Sequence, residues 1–209
     1  MNTEQNYLLL VEDDTDILKL LDATLTFSGY RVITARNGKE ALEVIQRERP
    51  AIVIADIMMP KLDGFSFVHR LRIAPETREI PVVFISSTYV APEDQEFAFH
   101  IGATRFLQKP VDLEKFLTTI AELLKQRIHA TIETLNEFNF YDEYRKRLEA
   151  KLAQKNKQIA RDENLMGTHL DEENQSRQAS LRHAIGEREE IKHLLDQVHA
   201  QLKKSAKSE

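Results

Sequence analysis

The sequence predicts an α/β protein, a doubly wound five-stranded parallel sheet with helices on both faces, followed by an all-helical region. Three observations carry this. Short apolar runs without alternation, such as Ile52-Val53-Ile54-Ala55, suit strands buried on both faces, as in a parallel sheet. These runs alternate five times with longer stretches of helical spacing, most of them closed by Gly or Pro. The composition then changes: all six prolines precede residue 111, and only Gly167 and Gly186 of the six glycines come later.

Element by element, Tyr7 to Val11 reads as a strand. Thr15 to Ser28 reads as a helix, with Ile17, Leu18, Leu21 and Leu25 on one side and Gly29 as terminator. Arg31–Ala35 is the second strand and Gly38–Arg49 the second helix, stopped by Pro50. Ile52 to Asp56 is the third strand, with Phe65–Ile73 a short helix behind it. After Pro81, "VVFIS" is the fourth strand, and Pro92 to Ile101 the next helix, ended by Gly102. Thr104–Leu107 is the last strand, and Asp112 is a suitable N-cap for the helix that starts at Leu113.

Beyond residue 112 nothing resembles a strand. Helical spacing can run from Leu113 past Leu135, with Leu148, Leu152 and Ile159 keeping a thin apolar stripe. As one rod, residues 112–165 would reach ~80 Å at 1.5 Å per residue. Gly167 suits a helix end, and Thr168 with Asp171 resembles a capping box. In the last helix Leu181, Ile191, Leu195, Val198 and Leu202 fit a seven-residue repeat, with Ala184 and Arg188 in the gaps. This predicts a helical hairpin or coiled coil, and its poor seam calls for a partner helix.

Composition excludes several classes. With no cysteine, disulfides, thiol catalysis and cysteine-metal sites are ruled out, which fits a cytoplasmic protein. No apolar run approaches the ~20 residues that span a bilayer, and the N-terminus lacks the basic start and cleavage site of a signal peptide. The net charge of −5 argues against sequence-independent nucleic-acid binding. Through residue 125 there are 14 basic against 19 acidic residues, and afterwards 15 against 15, so the acidity lies in the α/β part. The seven histidines contain no H-E-x-x-H and no i, i+4 pair, which disfavours zinc.

The chemistry concentrates at one edge. Glu12 and Asp13 end strand one and Asp56 ends strand three, neighbours in a doubly wound sheet, so the three acids converge. Crowded carboxylates call for a divalent cation, and oxygen-only ligands favour Mg²⁺, with Mn²⁺ as the other candidate. Ser86 ends strand four, and Lys109 follows strand five. A carboxylate, a metal, a hydroxyl and an ammonium are the parts that phosphoryl transfer to an aspartate requires.

The stretches "LLLVEDD", "IVIADIMMPKLDG", "PVVFISS" and "GATRFLQKP", in this order and spacing, resemble the receiver domain of two-component response regulators, over about residues 6–125. The resemblance implies a flavodoxin-like fold with strand order 2-1-3-4-5. It implies Asp56 as phosphoacceptor, Asp13 and Glu12 as Mg²⁺ ligands (Glu12 directly or through water) and the Met58 carbonyl completing the protein ligands. Ser86 falls at the switch hydroxyl, Lys109 at the invariant lysine and Phe106 at the rotating aromatic. Glu12 stands where Asp is commoner, and Ser86 where Thr is. Met58 also flanks the path of attacking water and cannot orient it, which predicts a fairly long-lived phosphoryl group.

The reading that follows is a receiver over residues 1–125 and a helical output or dimerisation region over 126–209. A histidine kinase or phosphotransfer protein would supply the phosphoryl group. Self-phosphorylation and slow autodephosphorylation would be the only chemistry, so the protein is not expected to be an enzyme otherwise. Expected partners are a second copy, through the C-terminal helices, and a downstream protein. Neither direct DNA binding nor a membrane is expected. The alternative is a fragment or degenerate relative of a receiver-linked signalling enzyme (a histidine kinase, diguanylate cyclase or phosphodiesterase) whose catalytic domain is missing. Phe97 and Phe99 read as core, and His183 lacks the sequence context of a phosphorelay histidine.

Overall fold

The computed structural model describes residues 7–126, 135–165 and 171–205. The chain forms two compact units, one through Leu135 and one from Asn136. Among the described residues of the first, five strands and five helices alternate: β1 (Leu8–Val11), α1 (Thr15–Phe27), β2 (Val32–Ala35), α2 (Gly38–Ile45), β3 (Ile52–Asp56), α3 (Gly64–Ile73), β4 (Val82–Ser86), α4 (Pro92–His100), β5 (Arg105–Gln108) and α5 (Leu113–Gln126). The sheet is parallel throughout and ordered β2-β1-β3-β4-β5, with Leu10 opposite both Thr34 and Ile54. The predicted fold and strand order are therefore the ones observed.

Local chemistry sets the helix starts. Asp14 accepts the N–H groups of Asp16 and Ile17 at 2.9 and 3.0 Å, which begins α1 at the end of β1. Asn37 caps α2 through the Glu40 N–H, Asp63 caps α3 through the Ser66 N–H, and Asp112 caps α5 through the Lys115 N–H. α1 stops at Gly29, whose φ of +88° an L side chain rarely adopts.

Strand alternation supplies both faces of the sheet. Leu8, Leu10, Ile52, Ile54, Val83, Ile85 and Leu107 pack with Leu18, Leu21 and Leu25 of α1 and Phe116, Ile120 and Leu123 of α5. On the other face Phe84 meets Phe65 of α3 edge to face, centroids 5.4 Å apart. β1, β3 and β4 are buried along their whole length, each large side chain contributing ~1.5–3 kcal/mol by leaving water. Phe97 is buried, as expected, but Phe99 is 48% exposed. The two lie on α4 at i, i+2, which on a helix point to different sides.

The second unit consists of α6 (Glu137–Leu165) and α7 (Asp171–Ser205). α6 is not a continuation of α5. Leu135 and Asn136 are non-helical, and the Asn136 side chain caps a fresh helix by accepting the Asn139 N–H at 2.8 Å. The single rod is thus replaced by separate helices. Packed against each other, α6 and α7 run antiparallel: Lys155 pairs with Glu187 at 2.8 Å, and Ile159 packs with Leu181 and Ala184. Leu148 is buried on α6, and Ile191, Leu194 and Val198 on α7. Leu194 takes the slot expected for Leu195, which is half-buried. Gly167 and Thr168 lie outside the described residues, as does the Asp171 side chain, and the capping box with them. No helix among the described residues is long and apolar enough to cross a membrane.

Candidate phosphoacceptor site

Parallel strands deliver their last residues to one edge, and there the sheet sets Glu12, Asp13 and Asp56 side by side. One carboxylate oxygen from each lies within 4.8 Å of the others. Glu12 and Asp56 are buried, 0% and 7% exposed, and Asp13 faces solvent. β5 leads directly to Lys109, whose N–H donates to the Ser86 carbonyl. Its ammonium reaches back across the edge and donates to Glu12 Oε2 at 2.8 Å and Asp56 Oδ2 at 2.9 Å. The second oxygen of Asp56 accepts the Ile57 N–H at 2.7 Å.

The electrostatics follow from this crowding. Burial and then the Asp56 charge push the Glu12 carboxyl up to about 7, against the pull of Lys109. Burial also raises Asp56, although Lys109 and the Ile57 N–H favour its ionised form. Asp13 is raised by partial desolvation. Lys109 is held above the ordinary lysine range, because Asp56 and Glu12 outweigh the desolvation that opposes its charge. One cation thus serves two buried carboxylates with a third at hand. That donor set, all oxygen and in excess of the local positive charge, fits a hard divalent cation.

Ser86 is fully buried at the end of β4, and its Oγ accepts the N–H groups of Thr88 and Tyr89 at 3.3 and 3.2 Å. Phe106 is half-buried on β5, and Met58 is half-buried in the loop two residues past Asp56.

Three further contributors escape the sequence reading. Asp14 caps α1 and sends its own N–H towards Glu12 Oε1 at 3.4 Å. Its place before a helical run was the available signal. Gly64 sits against the end of β3: its N–H donates to the Ile57 carbonyl at 2.8 Å. A Cβ there would come 2.3 Å from the Asp56 carbonyl oxygen and 2.8 Å from the Ile57 Cα. Lys61 holds φ +67°, uncommon for a residue with a Cβ, in the loop between them.

Comparison with known proteins agrees with this geometry. The profile described as "Response regulator receiver domain" matches residues 8–121. A probable transcriptional regulator ycf27 of Pyropia yezoensis is 33% identical over 126 residues, 60% of this chain and 50% of that protein. The transcriptional regulatory protein GlrR of Escherichia coli strain K12 is 37% identical over 138 residues, 66% of this chain and 30% of its own length. The chain therefore matches half of the first relative and less of the second. The chemotaxis response regulator CheY4 of Vibrio cholerae, seen in its high-resolution structure, superposes with a TM-score of 0.53 at 33% identity. That match covers 57% of this chain and 98% of that one. By sequence and by fold, this chain belongs to the response regulator receiver domain family.

Proposed function

We propose that Asp56 is the phosphoacceptor of a two-component phosphorelay and that its phosphorylation controls the α6–α7 hairpin. The observation that carries this is Lys109, bridging Glu12 and Asp56 beside Asp13 at the carboxyl edge of the sheet. An Asp56 oxygen attacks phosphorus in line, the P–N bond to a phosphohistidine of the donor kinase or phosphotransfer protein breaks, and the freed imidazole departs with the electron pair. Lys109 releases the attacking oxygen and balances the phosphoryl charge, while the Ser86 hydroxyl donates to a phosphoryl oxygen. Glu12, Asp13 and Asp56, with the Met58 carbonyl, would hold Mg²⁺ or Mn²⁺, which when bound neutralises charge on the transferring group. Phe106 would be the aromatic that moves with Ser86. Beyond this chemistry and slow hydrolysis of the acyl phosphate, no catalysis is assigned.

The output proposed is protein interaction in the cytoplasm. α6 and α7 already bury their apolar seam against each other, so a second copy is not needed for the helices to fold. Homodimerisation is therefore proposed as a controlled step. The relatives named as transcriptional regulators make DNA the competing target, and a gel-shift with the phosphorylated chain separates the two. Whether a longer reading frame adds a catalytic domain past Glu209 is decided by sequencing it.

The test of the central reading is intact mass after incubation with acetyl phosphate and Mg²⁺. The native chain should gain one phosphoryl group and Asp56→Asn none. Equal gain in both, or none in either, overturns it.

A further inference from the structure

We propose, on the basis of that phosphoacceptor reading, that α3 carries the switch from Ser86 to the root of the hairpin, with His69 as the transmitting residue. At its first residue, α3 is seated on the reactive strand through Gly64 N–H to the Ile57 carbonyl at 2.8 Å. The next residue, Phe65, is fully buried at the meeting point of three elements. Its ring packs edge to face against Phe84 of β4 at 5.4 Å, Tyr89 of the β4–α4 loop at 5.1 Å and Phe97 of α4 at 5.1 Å. Tyr89 is also the residue whose N–H donates to Ser86 Oγ. The switch hydroxyl therefore holds the backbone of a residue whose ring is packed on α3.

One turn further, on the same helix face as Phe65, His69 is 3% exposed, and its Nε2–H donates to the Leu135 carbonyl at 3.2 Å. Leu135 is the last residue of the first unit, and the next residue, Asn136, caps α6. Arg72 fixes the far end of α3 by donating from Nε and Nη2 to the Gly102 carbonyl at 3.2 and 2.8 Å. The helix is thus tied at both ends and holds, in its middle, the point from which the hairpin departs.

A phosphoryl oxygen that takes the Ser86 O–H draws Oγ toward Asp56 and away from the Thr88 and Tyr89 amides. Tyr89 and Phe65 then repack, and a close-packed core moves between discrete arrangements rather than deforming smoothly. His69 passes that repacking to the Leu135 carbonyl. Contiguity alone does not establish coupling, so the coupling itself must be read.

The experiment is hydrogen exchange by mass spectrometry on the full chain, with Mg²⁺ alone and with Mg²⁺ plus beryllofluoride, for native protein, His69→Gln, His69→Ala and Asp56→Asn. Peptides from the first turn of α6 are the readout, and acetyl-phosphate labelling of Asp56 is scored in parallel. In the native chain, beryllofluoride should change exchange there by about fivefold or more, the lower end of measured site-to-site couplings. His69→Gln, which keeps a donor, should retain most of the change. His69→Ala should lose it while labelling Asp56 at the native rate. A full response in His69→Ala, or no response in a native chain that does label Asp56, overturns the α3 route and leaves the phosphoacceptor reading standing. Failure of the native chain to label removes both.

Discussion

Replacing Lys109 with Ala removes the cation that two buried carboxylates share. Its ammonium makes ionic hydrogen bonds of 2.8 and 2.9 Å to side chains that are 0% and 10% exposed. Breaking such a pair from one side costs about 3–5 kcal/mol, because the orphaned charge stays buried. Two other agents can neutralise that charge, and each makes the loss conditional. A proton is the first. Glu12 already titrates at about 7 instead of 4.5, and Asp56 is also raised. Carboxyls with raised native pKa values are favoured in protonated form, so stability is lost as pH rises from about 4.5 through 7, and without Lys109 the window extends upward. The variant should therefore lie close to native at pH 5.5, within about 1 kcal/mol, and fall about 3 kcal/mol below it at pH 8.5. Mg²⁺ is the second agent, and millimolar Mg²⁺ should close part of the gap at pH 8.5. Urea unfolding at the two pH values, with and without Mg²⁺, reads all four numbers. A loss equal at both pH values and blind to Mg²⁺ would mean that Lys109 contributes packing and not charge.

Other perturbations follow from the same geometry. Mg²⁺ affinity should rise about tenfold between pH 6 and pH 8, since Glu12 at about 7 must give up its proton to act as a ligand; calorimetric titration at both pH values would expose a flat profile. Gly64→Ala drives a Cβ to within 2.3 Å of the Asp56 carbonyl oxygen, which should cost about 2–3 kcal/mol and lower the Tm by roughly 10 °C. An unchanged melting curve would show that α3 is not pinned there. Gly186→Ala, where a Cβ meets nothing within 4 Å on the exposed side of α7, should stabilise the hairpin by about 1 kcal/mol. A loss of stability instead would reveal a packed neighbour at that position.

The strands were legible because a parallel sheet buried on both faces demands uninterrupted apolar runs, and Ile52 to Ala55 can be little else. The acids were legible because each ends such a run. Lys109 was placed at the edge by its position after β5, but its simultaneous grip on Glu12 and Asp56 depends on side-chain reach that no spacing encodes. Phe99 was misread because α4 carries aromatics at 97 and 99, and residue type does not say which side of a helix is covered. Leu194 and Leu195 are adjacent leucines, each compatible with a seven-residue repeat, and only the partner helix chooses between them. The break at Leu135-Asn136 was missed because Asn is an ordinary, if weak, helix residue until its side chain caps the Asn139 N–H.

The closed seam between α6 and α7 also fixes the terms on which a second chain can enter. Five residues separate the two helices in sequence, so each presents the other at an effective concentration on the order of millimolar. A visiting α7 offers the same contacts and gains nothing by displacing the resident one, unless the chain's own concentration approaches that figure. Exchange of α7 between copies is thus a reaction near zero enthalpy whose balance a small push can reverse.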